Sequence, residues 1–154
     1  MKRFYDFINE CLADGIGEVM PWDLAEQLEQ NPDLMLLDIR EPYEFEAMRI
    51  AGSLNVPRGI LETACEYNFE ETVPELADAR ERPIVVICRS GNRSVLAAWV
   101  MRAMGYKNAV SLKTGLRGWN DFEQPLQNAA GETVDIDDAD EYFAAKLRPE
   151  QLKK

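Results

Sequence analysis

The 154 residues hold 46% apolar and 29% charged side chains, ordinary proportions for a soluble globular chain long enough to bury one sizeable core. Seventeen basic against 28 acidic residues leave a net charge of −11, which argues against nucleic acid or an anionic membrane surface as the main partner. No apolar run approaches the ~20 residues of a membrane span, and Asp6 and Glu10 interrupt the N-terminus before a signal-peptide core forms, so cytoplasmic residence is the expectation.

Residues 1 to 17 read as an amphipathic helical extension, with Phe4, Phe7, Ile8, Cys11 and Leu12 at helical spacing. A domain spanning residues 18 to 128 follows. Glu18 to Met20 suits a short strand, and Pro21 suits the first position of a helix through Gln30, with Trp22, Leu24, Ala25 and Leu28 facing inward. Asn31-Pro32-Asp33 is a turn, and Leu34 to Ile39 is a buried strand. Asp38 and Arg40 stand at its carboxyl end, where open α/β sheets carry functional loops. Arg40 or Arg49 is expected to pair with Asp38 or with the cluster Glu41, Glu44 and Glu46. Such a network would support the site structurally.

Gly52 to Pro57 reads as a loop, and Ile60 to Arg80 as two helical stretches. Leu61, Ala64, Cys65 and Phe69 would form one face of the first, and Pro74 would open the second through Ala79. Ile84 to Ile87 is an unbroken, mostly β-branched run of the kind found in a strand covered on both faces. Cys88 ends it. A helix is expected from Ser94, closed by Gly105, then a short strand from Ala109 to Leu112 and a loop from Lys113 to Gly118. Trp119 with Phe122 would anchor a further helix. Residues 129 to 154 form an acidic extension whose stretch EYFAAKL suggests a docked surface helix, with a disordered Lys153-Lys154 end. Apolar strands alternating with helical patterns argue for an α/β fold: an open parallel sheet with helices on both faces.

A thiol in the position of Cys88 has reasons to be reactive. The amides that open a helix carry partial positive charge and stabilise an anion. Gly91 and Asn92 are the residue types that most easily take positive φ, which lets the amides of Arg89, Ser90, Gly91, Asn92, Arg93 and Ser94 curl into an anion-binding nest. With the charges of Arg89 and Arg93, these features should depress the thiol pKa below its free value of about 8.5. Three cysteines cannot all pair, which fits reduced thiols. Cys65 is either a core thiol or one that approaches Cys88 and resolves a sulfur intermediate. Three scattered cysteines and no histidine leave no metal-ligand spacing and no Cys–His dyad, and no cofactor is called for.

CRSGNRS, from Cys88 to Ser94, resembles the active-site loop of rhodanese-domain sulfurtransferases. LLDIREPYEFEAMRIAGSLNVP, from Leu36 to Pro57, is similar to that family's N-terminal pattern, and LKTGLRGW, from Leu112 to Trp119, to its closing Gly-x-x-Gly-Trp stretch. Met48-Arg49-Ile50 departs from it, standing where the family usually has Gly-His-Ile. The resemblance covers about Met20 to Leu126. It implies a rhodanese-like sheet, a Cys88 thiolate as sulfur carrier, and Arg58 as a candidate basic contact to the substrate.

The chemistry expected is a two-step displacement. The thiolate takes a sulfane sulfur from a small anionic donor such as thiosulfate, or from a protein persulfide, and cyanide or a thiol acceptor removes it. Arg89 and Arg93 would attract the anionic donor. A binding module that only relays sulfur to a partner protein is an alternative. A cysteine-dependent phosphatase or arsenate reductase is another, disfavoured because those enzymes wrap phosphate with five residues between Cys and Arg, whereas four separate Cys88 from Arg93.

Overall fold

The computed structural model describes residues 1–153; Lys154, part of the tail read as disordered, lies outside the described residues. The chain opens with α1 (Phe4–Ala13), then β1 (Glu18–Val19), α2 (Pro21–Gln30), β2 (Met35–Asp38) and α3 (Pro42–Ala47). It continues through β3 (Leu54–Asn55), α4 (Leu61–Ala64), α5 (Pro74–Ala77), β4 (Ile84–Ile87) and α6 (Arg93–Ala103). β5 (Ala109–Leu112), α7 (Gly115–Asp121) and α8 (Ile136–Phe143) complete it. Every strand pairing is parallel, in the order β1-β5-β4-β2-β3. The central strand β4 and its neighbour β2 are buried along their whole length, as their unbroken apolar runs require.

Alternation of side chains across the pleat divides the core in two. Met35, Leu37, Ile84, Val86 and Cys88 point to one face, under α1, α4, α5 and α6. Leu36, Val85, Ile87 and Leu112 point to the other, under α2, α7 and α8. Helices therefore cover both faces, and Cys88 emerges on the side of α6. No helix among the described residues is long and apolar enough to cross a membrane.

Several boundaries differ from the sequence expectation. The segment 52–57 contains β3, which pairs with β2 through Leu37↔Leu54 and Asp38↔Asn55. Two residues are too few to show period-2 alternation. In 60–80 the helices shrink to α4 and α5, and Phe69 is 46% exposed, outside the face formed by Leu61, Ala64 and Cys65. Trp22 and Phe122 do not enter the core: they are 49% and 43% exposed and meet edge to face at 5.8 Å, while Trp119 is buried. Phe4 and Phe7 are also exposed; Ile8 and Cys11 carry the buried side of α1. The segment read as a loop from Lys113 to Gly118 already contains the first turn of α7.

The C-terminal helix starts inside the acidic stretch instead of after it. Asp135 caps α8 by accepting from the amides of Asp137 and Asp138, and those carboxylates face the positive end of the helix dipole. Its apolar side seats Ala139 and Phe143 in the second core. An antiparallel bridge between Arg49 and Gln127 ties the preceding segment to the domain.

Glu44 of α3 joins that helix to α6. Its carboxylate accepts from the Glu41 amide at 3.0 Å and from both terminal nitrogens of Arg93 at 3.1 Å. Desolvation by burial is the largest influence on Glu44 and acts to raise its pKa; the Arg93 and Glu41 hydrogen bonds and the charges of Arg93 and Arg40 together outweigh it, so the pKa is lowered.

A carboxylate whose folded pKa is depressed stabilises the fold fully above its unfolded pKa and loses that contribution as pH falls through the folded value. Stability should therefore decline as pH drops below the ordinary 4.5, and Glu44→Gln should flatten that part of the acid limb in urea melts at stepped pH. Phe143→Ala should cost about 3–5 kcal/mol in the same melts at neutral pH, because the emptied site cannot fully collapse.

Candidate active site

The site is built where β4 runs out. Cys88 is the first residue past the strand, 1% exposed, and the loop from Arg89 to Asn92 carries the chain over it into α6. The Cys88 sulfur accepts from the Gly91 amide at 3.2 Å and from the Ser94 amide at 3.3 Å, and is hydrogen-bonded to Ser94 Oγ at 3.2 Å. Above it lies a hollow of about 270 Å³ lined by Phe4, Cys88, Arg89, Ser90, Asn92 and Arg93.

Two amides on one sulfur require a sharp turn. Gly91 supplies it at φ +85°, whereas Asn92 stays in the right-handed region at φ −94° as the residue that caps α6. A side chain at Gly91 would also meet the Thr114 amide at 2.7 Å. From the other side, Gly115 at φ +60° approaches so closely that an added Cβ would lie 2.5 Å from the carbonyls of Cys88 and Arg89. The amides of Leu116 and Arg117 then donate to the Cys88 and Arg89 carbonyls, each at 3.0 Å. The thiol loop and the start of α7 interlock backbone to backbone.

Neither loop arginine is left as a bare charge. Arg93 is paired with Glu44, and these hydrogen bonds are the main reason its pKa is raised further. Arg89 donates through Nε at 3.2 Å and Nη2 at 2.5 Å to the Phe143 carbonyl, at the C-terminal end of α8. Both guanidiniums, expected to attract an anionic donor, are thus already engaged within the protein. Arg93 remains one-third exposed at the rim of the hollow.

Asp38 and Arg40 stand behind the loop as a fully buried ion pair, Nη2 to Oδ2 at 2.8 Å and Nε to Oδ1 at 3.0 Å. Arg40 also donates to the carbonyls of Glu44 and Met48, and the Asn55 amide donates to the carbonyls of Asp38 and Arg40. These contacts hold α3, and with it Glu44, against Arg93. Arg49 takes no part in the pairing; its guanidinium lies 4.2 Å from the Phe45 ring centroid, and its Nε is buried without a hydrogen-bond partner among the described residues. Arg58 opens a short 3₁₀ turn and donates its amide to the Ile39 carbonyl, but is absent from the lining of the Cys88 hollow.

The other cysteines are sorted by burial. All three are free. Burial pushes the Cys65 thiol up, and its hydroxyl neighbour is Tyr106, which precedes β5 and so stands toward the end of the parallel sheet away from Cys88. That position favours the core-thiol reading over the resolving one. Burial also pushes Cys11 up.

Sequence reasoning missed four participants. Phe4 was visible only as part of an amphipathic stripe, and Ser111 as one polar residue in a short strand; its Oγ lies 2.6 Å from Ser94 Oγ, and both residues are fully buried. The roles of Glu44 and Phe143 depend on helix placement that spacing does not reveal.

Known proteins share the fold of this chain and resemble it over much of its length. A sequence model of the Rhodanese-like domain matches residues 21–122. The "Putative thiosulfate sulfurtransferase, mitochondrial" of Schizosaccharomyces pombe is 32% identical over 103 residues, 65% of this chain and 72% of that protein. The "Putative sulfur carrier protein YrkF" of Bacillus subtilis is 31% identical over 107 residues, 70% of this chain, and the match spans 52% of that protein's length. Among solved structures, a Rhodopseudomonas palustris protein of unknown function, RPA3614, described as a "Possible Tyrosine Phosphatase", superimposes with a TM-score of 0.74 at 26% identity, covering 82% of this chain and 96% of that one. The chain belongs to the rhodanese-like domain family, whose relatives of this sequence are named as sulfurtransferases and sulfur carriers.

Proposed function

We propose that the protein is a sulfurtransferase that carries sulfur as a persulfide on Cys88. The observation that carries this reading is a thiol at the end of a buried strand, bound by two loop amides and opening into a hollow with room for a second sulfur. In the first step the thiolate attacks the outer sulfur of a donor. With thiosulfate, the sulfur–sulfur bond breaks, sulfite leaves with the electron pair, and Cys88 becomes a persulfide. In the second step a thiol or cyanide attacks the terminal sulfur, and Cys88 departs as the thiolate. No general base is needed once the nucleophile is an anion. The loop amides and the rim arginines stabilise the charge on the outer sulfur.

Phosphoryl transfer is supported less well, despite the name given to the Rhodopseudomonas protein. Four residues between Cys88 and Arg93 make a short cradle, and no carboxylic acid lines the hollow to protonate a leaving alcohol.

A second reading, sulfur relay between proteins, has its own support. Both loop arginines are engaged by the protein, and an aromatic side chain, Phe4, borders the hollow. Such a mouth suits a thiol-borne persulfide, delivered by a partner protein, at least as well as a small dianion.

Intact mass before and after thiosulfate tests the first reading. The wild type and Cys65→Ser should gain one sulfur atom that cyanide removes, and Cys88→Ser should gain none; sulfur retained by Cys88→Ser would overturn the assignment. No gain in any protein, with loading from a protein persulfide, would select the relay. Glu44→Gln releases Arg93 from its partner and should raise kcat/KM for thiosulfate about three- to tenfold, the scale of one uncovered charge in a half-solvated site. Steady-state rates with a fixed thiol acceptor read this, and a rate that does not rise would show that Arg93 does not serve the donor.

A further inference from the structure

The hydroxyl of Ser111 has one hydrogen-bond partner among the described residues, Ser94 Oγ at 2.6 Å, and both side chains are cut off from water. Ser94 Oγ in turn lies 3.2 Å from the Cys88 sulfur. Three atoms on two strands and a helix thus form one buried line: β5 at Ser111, α6 at Ser94, and Cys88 at the end of β4.

The direction of the hydrogens along that line has a physical answer. A buried hydroxyl whose hydrogen meets no acceptor is costly. Ser111 can place its hydrogen only on Ser94 Oγ. With that position taken, the hydrogen of Ser94 cannot point back at Ser111 and is turned toward the sulfur. The neutral thiol can donate to Ser94 Oγ across the same 3.2 Å, but once ionised Cys88 faces three donors, the amides of Gly91 and Ser94 and the Ser94 hydroxyl. A thiolate uses all three, whereas a thiol has only weak use for them as an acceptor. Reversing the line, so that the thiol donates to Ser94 and Ser94 to Ser111, strands the Ser111 hydrogen.

We propose that Ser111 is a positioning residue for Cys88: by donating to Ser94 Oγ it directs the Ser94 hydroxyl and strengthens its hydrogen bond to the sulfur, and so favours the ionised form without touching it. The proposal rests on Cys88 being the reactive thiol, and it assigns part of the control of that thiol to a strand outside the loop. It also gives β5 a second task beside carrying the chain into α7.

The test is the pH dependence of Cys88 alkylation by iodoacetamide in the full-length protein, with the labelled cysteine located by peptide mass. This readout needs no sulfur donor, so it stands whether or not sulfur transfer is the physiological reaction. Ser111→Ala should raise the pH midpoint by about half a unit to one unit, the scale of one net hydrogen bond. Ser111→Thr keeps the hydroxyl and should retain the wild-type midpoint. In a Ser94→Ala background, Ser111→Ala should add no further shift, because its effect passes through Ser94. An unmoved midpoint in Ser111→Ala, an equal shift in Ser111→Thr, or additive shifts in the double variant would each overturn the proposal. Should Ser111→Ala fail to fold, Ser111→Cys, whose S–H is a weaker donor, should show a smaller upward shift, and its absence would overturn the proposal equally.

Discussion

The arrangement around Cys88 depends on an ion pair that never touches it. Asp38 and Arg40 are wholly enclosed, and burying two charges is favourable only when geometry is good and every remaining polar atom finds a partner. Here the partners are the framework itself. Arg40 spends its spare donors on the carbonyls of Glu44 and Met48, and Asn55 closes over the backbone of the pair from β3. Two segments converge on one guanidinium, the end of β2 and the turn through α3, while β3 is tied to the backbone beside it. Breaking such a pair from one side leaves an uncompensated charge, typically at a cost of about 3–5 kcal/mol, so the geometry has little freedom to drift. Glu44 is held by it, Arg93 is held by Glu44, and Arg93 begins the helix whose first turn presents Ser94 to the sulfur.

Charge near the thiol is therefore compensated in stages. A chain with eleven more acidic than basic residues keeps arginines at its reactive loop, yet each is matched locally, one by a carboxylate and one by a helix-end carbonyl. Positive charge that is matched still polarises its surroundings, but it no longer acts as an open trap for any passing anion. The amides of Gly91 and Ser94 carry the closer share of the work, since they point at the sulfur itself and cannot be screened by a neighbour.

Much of this was legible beforehand. The unbroken runs of β2 and β4, the proline that opens α2, and the glycine that closes α6 are local signals, and the parallel sheet followed from them. Cys88 stood out because a strand end, a glycine and a helix start fall within a few residues. What remained hidden is non-local. Spacing showed that Arg93 and Glu44 were charged but not that α3 would bring them together over 49 positions. Residues 113 to 118 read as a loop, whereas Gly115 already opens α7 against the carbonyls of Cys88 and Arg89 with no space for a side chain, and Gly118 leaves room for the side chain of Thr114. Asp135, the N-cap of α8, went unread because a run of acidic residues looks like solvated surface until the apolar side is located.

The bond from Arg89 to the Phe143 carbonyl has a consequence for the order in which the molecule matures. Phe143 is synthesised 54 residues after Arg89, and β1, made near the beginning, waits for β5 before it can pair. On a ribosome that releases the chain from its N-terminus, the cysteine loop and its strand emerge well before the carbonyl that satisfies Arg89. The nascent protein thus has a thiol in place while one side of its loop is still unlatched, and only the closing of α8 onto the second core gives the loop its final set of partners.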